Sequence, residues 1–92
     1  MTEYNTSIDI EDQPPLIRSR EDFVKFLTIL LHNYNTSKED WENNTIKSFL
    51  NGLIGFTEDA KGYYDNIGED VDIEKPSWRF FADILLAARV YE

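Results

Sequence analysis

The chain contains no cysteine among its 92 residues, so disulfide bridges, thiolate zinc sites and cysteine nucleophiles are all excluded. It has a single histidine, His32, which falls on the polar side of a predicted helix and is interpreted as a solvated surface residue. No uninterrupted apolar run approaches the roughly 20 residues of a membrane span. The sequence also has no internal repeat and no low-complexity tract.

Positive charge is scarce, because nine lysines and arginines face eighteen acids and give a net charge of −9. Such a chain is repelled by phosphate backbones and by anionic lipid, which argues against nucleic acid and membranes as partners. A basic protein or cations fit this charge better. Solubility alone is an equally good explanation for the acidity, because net charge governs association and not fold.

Hydrophobic residues make up 41% of the chain and aromatic residues 14%, which is enough for one packed core. We expect a flexible acidic lead-in at residues 1–15 and a single helical domain at residues 16–92. The acidic N-terminus has neither the basic nor the apolar region of a signal peptide, so a cytoplasmic location is expected.

Two amphipathic helices are predicted from capping residues and apolar spacing. Ser19, with Asp22 three residues later, starts the first. Ser37 opens a short turn that ends near Trp41, and the second helix begins near Asn44 or Thr45. Broad apolar stripes follow the two helix starts: Phe23, Phe26, Leu27, Leu30, Leu31 and Tyr34 in the first helix, and Ile46, Phe49, Leu50, Leu53, Phe56, Ala60 and Tyr64 in the second.

A third helix is predicted after Pro76, with Ser77 as its N-cap, and it is apolar on nearly every side. A helix of this kind belongs between other helices. Its polar stripe is the i,i+4 ion pair of Arg79 and Asp83, whereas Arg89 lies on an apolar flank and needs a carboxylate or helix-end carbonyls nearby. The fold class is therefore all-α, a small bundle of three main helices plus one short helical turn.

The glycines of the second helix each cost about 1 kcal/mol relative to alanine. Gly52 and Gly55 lie on or near its polar side, and we interpret them as tolerated rather than as points of close backbone approach.

Acidic residues are concentrated between Asp65 and Glu74, in a segment that looks superficially like a calcium-binding loop. Its glycine comes fourth and Pro76 stands at position twelve, so the EF-hand pattern fails. Neighbouring carboxylates are expected by chance in so acidic a chain, and no catalytic triad or phosphate-binding glycine loop is present. The sequence therefore predicts a non-enzymatic protein without a metal or cofactor.

Aromatic residues next to acids at helix ends and loops are the remaining signal for binding. The alternative is that these aromatics are lids over a small core. The candidate partner-binding residues are Trp41, Tyr63, Tyr64, Asp70, Asp72 and Trp78.

Four stretches together resemble a family of short, mostly bacterial proteins of unknown function: SREDFVKFL, WENNTIKSFLNGLIGF, GYYDN and PSWRFFADILLAARVYE. The family pattern resembles Trp-Glu-Asn-x-Thr, then Gly-Tyr-Tyr, then Pro-x-Trp-x-x-Phe-Ala-x-x-Leu-x-Ala-Ala, ending in Tyr-Glu. The match spans about residues 19 to 92. The resemblance implies a bacterial cytoplasmic protein and assigns no catalytic residue. It also singles out Gly62, for which close packing or a kink is the expected explanation.

Two classes of function follow from these observations. The first is an acidic protein-binding module, immunity-like or regulatory, acting on a basic protein partner. The alternative is a metal-dependent enzyme or accessory protein that uses the Asp65–Glu74 loop, or a structural homodimer formed through the last helix.

Overall fold

The chain folds into three α-helices joined by loops, in a computed structural model that describes residues 9–92. Helix α1 spans Arg20–Thr36, α2 spans Ile46–Ile67 and α3 spans Trp78–Ala87. Three 3-10 turns accompany them, at Ile10–Asp12, Pro14–Leu16 and Lys38–Asp40. No strand occurs in these residues, and the predicted all-α fold is confirmed together with its short turn after α1.

Side-chain caps fix the start of each helix. The hydroxyl of Ser19 accepts a hydrogen bond from the amide of Asp22 at 3.0 Å, and that of Ser77 accepts from Phe80 at 3.0 Å. Thr45 and Ser48 form a reciprocal capping box at the start of α2. Each cap contributes about 1 kcal/mol, and the predicted starts at Ser19 and Ser77 are confirmed.

Helix α3 lies at the centre because both of its apolar flanks are covered. Trp78 packs on Phe23 of α1 with ring centroids 5.4 Å apart, and Phe80 packs on Tyr64 of α2 at 6.1 Å. The core consequently has two parts. The part facing α1 contains Ile17, Phe26, Leu30, Trp41, Ala82 and Leu86, and the part facing α2 contains Phe56, Ala60, Tyr64 and Phe80.

The glycines of α2 differ from their predicted roles. A Cβ atom on the buried Gly52 would lie 2.6 Å from the carbonyl oxygen of Ala88, and one on Gly55 would lie 3.0 Å from the ring of Tyr91. The interpretation of these two as merely tolerated was wrong, because the end of α3 meets the bare backbone of α2 there. The prediction of close packing at Gly62 was also wrong, since within residues 9–92 no atom beyond its own helical turn lies within 4 Å of a Cβ at that position.

The segment before α1 packs against the helices where the structure describes it. Residues 1–8 of the predicted lead-in lie outside the described residues. Pro14 is fully buried and Ile17 belongs to the core, so the predicted boundary at residue 15 falls inside the Pro14–Leu16 turn. Within residues 9–92, no helix combines the length and the apolar character needed to cross a bilayer.

Candidate functional site

An apolar groove runs between α1 and α2, with α3 beneath it. Its volume is about 390 Å³, and none of the charged residues between positions 9 and 92 lines it. The lining consists of Leu27, Leu30, Leu31 and Tyr34 from α1, Trp41, Asn43, Asn44 and Thr45 from the connection, Ile46, Phe49 and Leu50 from α2, and Leu85 from α3. We refer to this feature as the α1–α2 groove.

Aliphatic side chains that no other part of the described chain covers form the walls of the groove. Leu31 on α1 is 60% exposed, and Ile46 and Leu50 on α2 are 81% and 51% exposed. They lie beside the core-facing stripes of their helices, because an apolar stripe this broad extends past the area that α3 can cover. Large exposed apolar patches on soluble proteins commonly mark interaction sites.

Aromatic residues form the floor of the groove. Trp41 is buried, its ring is stacked on Phe49 at 5.8 Å, and it meets the edge of Tyr34 at 5.0 Å. Its indole Nε1 donates a hydrogen bond to the side-chain oxygen of Asn33 at 2.7 Å. Trp41, predicted as a binding anchor, is therefore part of the groove's rigid base.

Two polar side chains at one end of the groove already have partners within the chain. The side-chain amide of Asn43 donates to the carbonyl oxygens of Ala88 at 2.9 Å and Tyr91 at 2.7 Å. The hydroxyl of Thr45 accepts from the amide of Ser48 at 3.1 Å as the α2 cap. These groups hold the connection between α1 and α2 and are not directed at a ligand.

A buried arginine supports the floor from below. Arg89 donates from Nε to the carbonyl oxygen of Leu86 at 2.9 Å and from a terminal nitrogen to Asn33 at 3.0 Å. Its guanidinium lies 5.9 Å from the centre of the Trp41 ring, and Glu11 approaches to 3.9 Å. Burial lowers the pKa of Arg89, and the nearby charge of Glu11 opposes that change. Arg89 thus joins the end of α3 to α1.

A second polar group joins α2 to α3. Tyr64 donates a hydrogen bond to the buried carboxylate of Asp83, and Nε of Arg79 lies 3.5 Å from the same carboxylate. Burial, followed by the hydrogen bond to Asp83, raises the pKa of Tyr64 far above its ordinary value. Burial also raises the pKa of Asp83, although Tyr64 and Arg79 oppose it. Asp83, predicted on a polar stripe, is in fact an interior residue.

The acidic loop after α2 forms a separate cleft of about 580 Å³. Asp70 and Asp72 are exposed there, with Tyr64 at its base. Two nearby acids are already engaged, Asp65 by Lys61 at 3.0 Å and Glu69 by Arg79 at 3.3 Å. Across residues 9–92, no three acids or histidines come together as a metal site requires.

The predicted partner-binding residues do not form one surface. Tyr64, Asp70 and Asp72 share the acidic cleft, while Trp41 belongs to the α1–α2 groove. Trp78 is half-buried against Phe23 and lines neither of these two surfaces.

Tyr63 is 40% exposed and packs edge-on against Phe56. Sequence reasoning placed Leu31, Ile46 and Leu50 on the apolar stripes of their helices and did not identify them as groove residues. The available signal was the width of the apolar stripes.

Comparison with known proteins identifies a family. A family model covers residues 19–92, and its description is a family of unknown function. No curated protein and no solved structure matches the chain.

Proposed function

The chain belongs to DUF7660, a family of unknown function, and from its own surfaces we propose that it is a non-enzymatic module that binds a basic protein partner. Its role would be regulatory or immunity-like, in which occupation of the partner is itself the function. A bacterial, cytoplasmic setting is part of the same proposal. It is supported by the resemblance described above and by the absence of cysteine from the sequence.

The observation that carries this proposal is the α1–α2 groove. Three aliphatic residues that are more than half exposed, Leu31, Ile46 and Leu50, frame a concave surface without a charged lining residue. Covering them would remove apolar area from water, which stabilises a complex by about 25 cal/mol for each Å². An apolar concave surface of this kind suits the centre of a protein–protein interface.

The groove residues provide a surface for binding but few side-chain groups that could act in catalysis. Its hydroxyl groups are those of Tyr34 and Thr45, and Thr45 already caps α2. The buried titratable groups Asp83 and Tyr64 bond to each other outside the groove. An acid–base pair with an open approach for a substrate, as general catalysis requires, is therefore not formed by the groove residues.

The charge of the chain favours a basic partner. At net −9, association with a positively charged surface is accelerated by long-range attraction, and this acceleration weakens as salt is added. The partner would present apolar side chains to the groove and basic residues around that contact.

The test is capture of the partner and reconstitution of the complex. The chain, immobilised and exposed to lysate of its source organism, is expected to retain a basic protein that mass spectrometry identifies. The purified partner should then bind in calorimetry, more weakly at about 0.5 M salt than at about 0.05 M.

The double substitution Leu31→Ser with Leu50→Ser is expected to abolish this binding, because both side chains form groove walls. The matched control is Ile67→Ser, which changes an equally exposed residue of α2 outside the groove. If the double variant and the control bind alike, the groove is not the binding surface and the proposal is wrong.

A further inference from the structure

We infer that the partner places a single amphipathic, basic α-helix lengthwise in the α1–α2 groove, packed on the three helices of the chain. This inference rests on the proposed function, because it specifies which structural element of the partner fills the groove. It follows from what the groove offers to a polypeptide backbone, from the shape of its walls and from the charge of the chain.

The first argument concerns backbone hydrogen bonds. A peptide strand laid in the groove would need donors and acceptors from the chain, because buried backbone groups are almost always paired. The side-chain nitrogen of Asn43 is bonded to Ala88 and Tyr91, and the hydroxyl of Thr45 is bonded to Ser48. Asn44 and Tyr34 add polar side-chain atoms to an otherwise largely apolar lining, but these are too few to pair the backbone of a strand. An α-helix satisfies its own backbone groups and needs none from the groove.

The second argument concerns the shape of the walls. On α1 the lining runs from Leu27 to Tyr34, which is about two helical turns. On α2 the lining runs from Ile46 to Leu50, about one turn, and the exposed Ile54 continues the same four-residue spacing beyond the groove. Side chains at this spacing form a ridge along a helix, and such ridges fit the grooves of another helix. A bound helix would contact both walls and Leu85 on the floor.

The third argument separates a partner helix from a second copy of this chain. A twin copy would bring a second net charge of −9 to the interface, and like charges disfavour its association. A helix with lysine or arginine on its outer face is instead attracted. The occupant is therefore expected to be apolar at positions i, i+3 or i+4, and i+7, and basic elsewhere.

The probe is a labelled synthetic peptide of about 15 residues, near the shortest length at which a helix forms. Leucines recur at three- and four-residue spacing, and lysines fill the other positions. A second peptide of the same composition places the leucines at every second position in one continuous alternating stretch, with the remaining lysines at its ends, which suits an extended strand. A third has the helical pattern with glutamate in place of lysine. Fluorescence anisotropy measures the Kd of each against the intact chain, and circular dichroism measures helix content on binding.

The helical lysine peptide is expected to bind at least about tenfold more tightly than either control peptide and to gain helix content. The Leu31→Ser, Leu50→Ser variant should bind it at least about tenfold more weakly, while Ile67→Ser leaves its Kd unchanged. Retained binding by the double variant would place the peptide elsewhere and overturn the inference.

Other outcomes separate this inference from the proposed function. If the alternating peptide binds as tightly as the helical lysine peptide or more tightly, the groove accepts an extended segment. The inference of a bound helix is then wrong, whereas the proposal of protein binding is unaffected. If the glutamate peptide binds as tightly as the helical lysine peptide, the inference that the bound helix is basic is wrong. A dimer in sedimentation that the double substitution dissociates would show that a second copy fills the groove. If the captured natural partner binds through the groove but not by a helix, only the present inference fails.

Discussion

At the scale of single residues, the contact between α2 and the end of α3 depends on a missing side chain. Gly52 is buried, and the carbonyl of Ala88 occupies the space that a Cβ atom would need. The same carbonyl accepts a hydrogen bond from Asn43 at 2.9 Å, so it is held in place from a second direction. Glycine is therefore required at position 52 for packing, whatever its cost to helix propensity.

Replacing Gly52 with alanine is expected to destabilise the fold by about 1–3 kcal/mol, because the new methyl group overlaps a fixed backbone atom. Gly62→Ala on the same helix meets no atom within 4 Å and should stabilise by about 0.5–1 kcal/mol through helix propensity. Urea unfolding of both variants measures the two effects. Equal effects of the two substitutions would contradict the close approach at Gly52.

At the scale of helices, α2 and α3 are joined by a polar contact inside an apolar interface. Tyr64 of α2 donates its hydroxyl to Asp83 of α3, and both residues are buried. A buried pair of this kind is costly if broken, since one polar group is then left without its partner. The relative position of the two helices is therefore coupled to the protonation of Tyr64.

This coupling predicts a loss of stability at alkaline pH. The pKa of Tyr64 is raised in the folded state, so above the ordinary tyrosine pKa of about 10 the unfolded chain releases this proton first. The unfolded state then binds fewer protons, and the free energy of unfolding falls as pH rises. Below that pKa the contribution of Tyr64 is fully present.

The measurement is urea unfolding from about pH 8 to about pH 11 for the wild type and for Tyr64→Phe. The variant should be less stable at pH 8, because Asp83 loses its hydrogen bond, and its stability should fall less steeply with pH. The free energy of unfolding of the variant should still decrease somewhat as pH rises, because the pKa values of Tyr63 and Tyr91 are also raised. Identical slopes for the two proteins would contradict the coupling.

At the scale of the whole molecule, the dominant property is an excess of negative charge. Eighteen acids and nine bases share a small surface, and the ion pair of Lys61 with Asp65 is largely exposed. Exposed pairs contribute little, so repulsion among the acids outweighs them. Repulsion of this kind destabilises the compact state.

Screening this repulsion should stabilise the protein. Raising sodium chloride from about 0.05 M to about 0.5 M shortens the range of charge interactions, and the melting temperature measured by circular dichroism is expected to increase. The acidic-loop variant Asp70→Asn with Asp72→Asn should melt higher than the wild type at low salt, and this advantage should shrink at high salt. A melting temperature that falls with salt would mean that specific ion pairs dominate.

The sequence was sufficient to predict where the helices start but not how they pack against one another. Ser19 and Ser77 act locally, so their caps follow from neighbouring residues alone. Gly52 was misinterpreted because its contact, Ala88, lies far along the chain. The width of the apolar stripes did not show which part α3 would cover, so Leu31 and Leu50 were predicted only as members of those stripes and not as groove residues.

The groove walls are nearly independent of the fold that presents them. Leu31, Ile46 and Leu50 are more than half exposed, so replacing them changes the free energy of unfolding by only about 0.5 kcal/mol or less. The floor below them is fixed by Asn33, which accepts hydrogen bonds from both Trp41 and Arg89. The wall residues can therefore be substituted, which changes the shape of the groove, while the hydrogen bonds that fix its floor remain in place. One helical scaffold can in this way present a different groove in each variant without losing its structure.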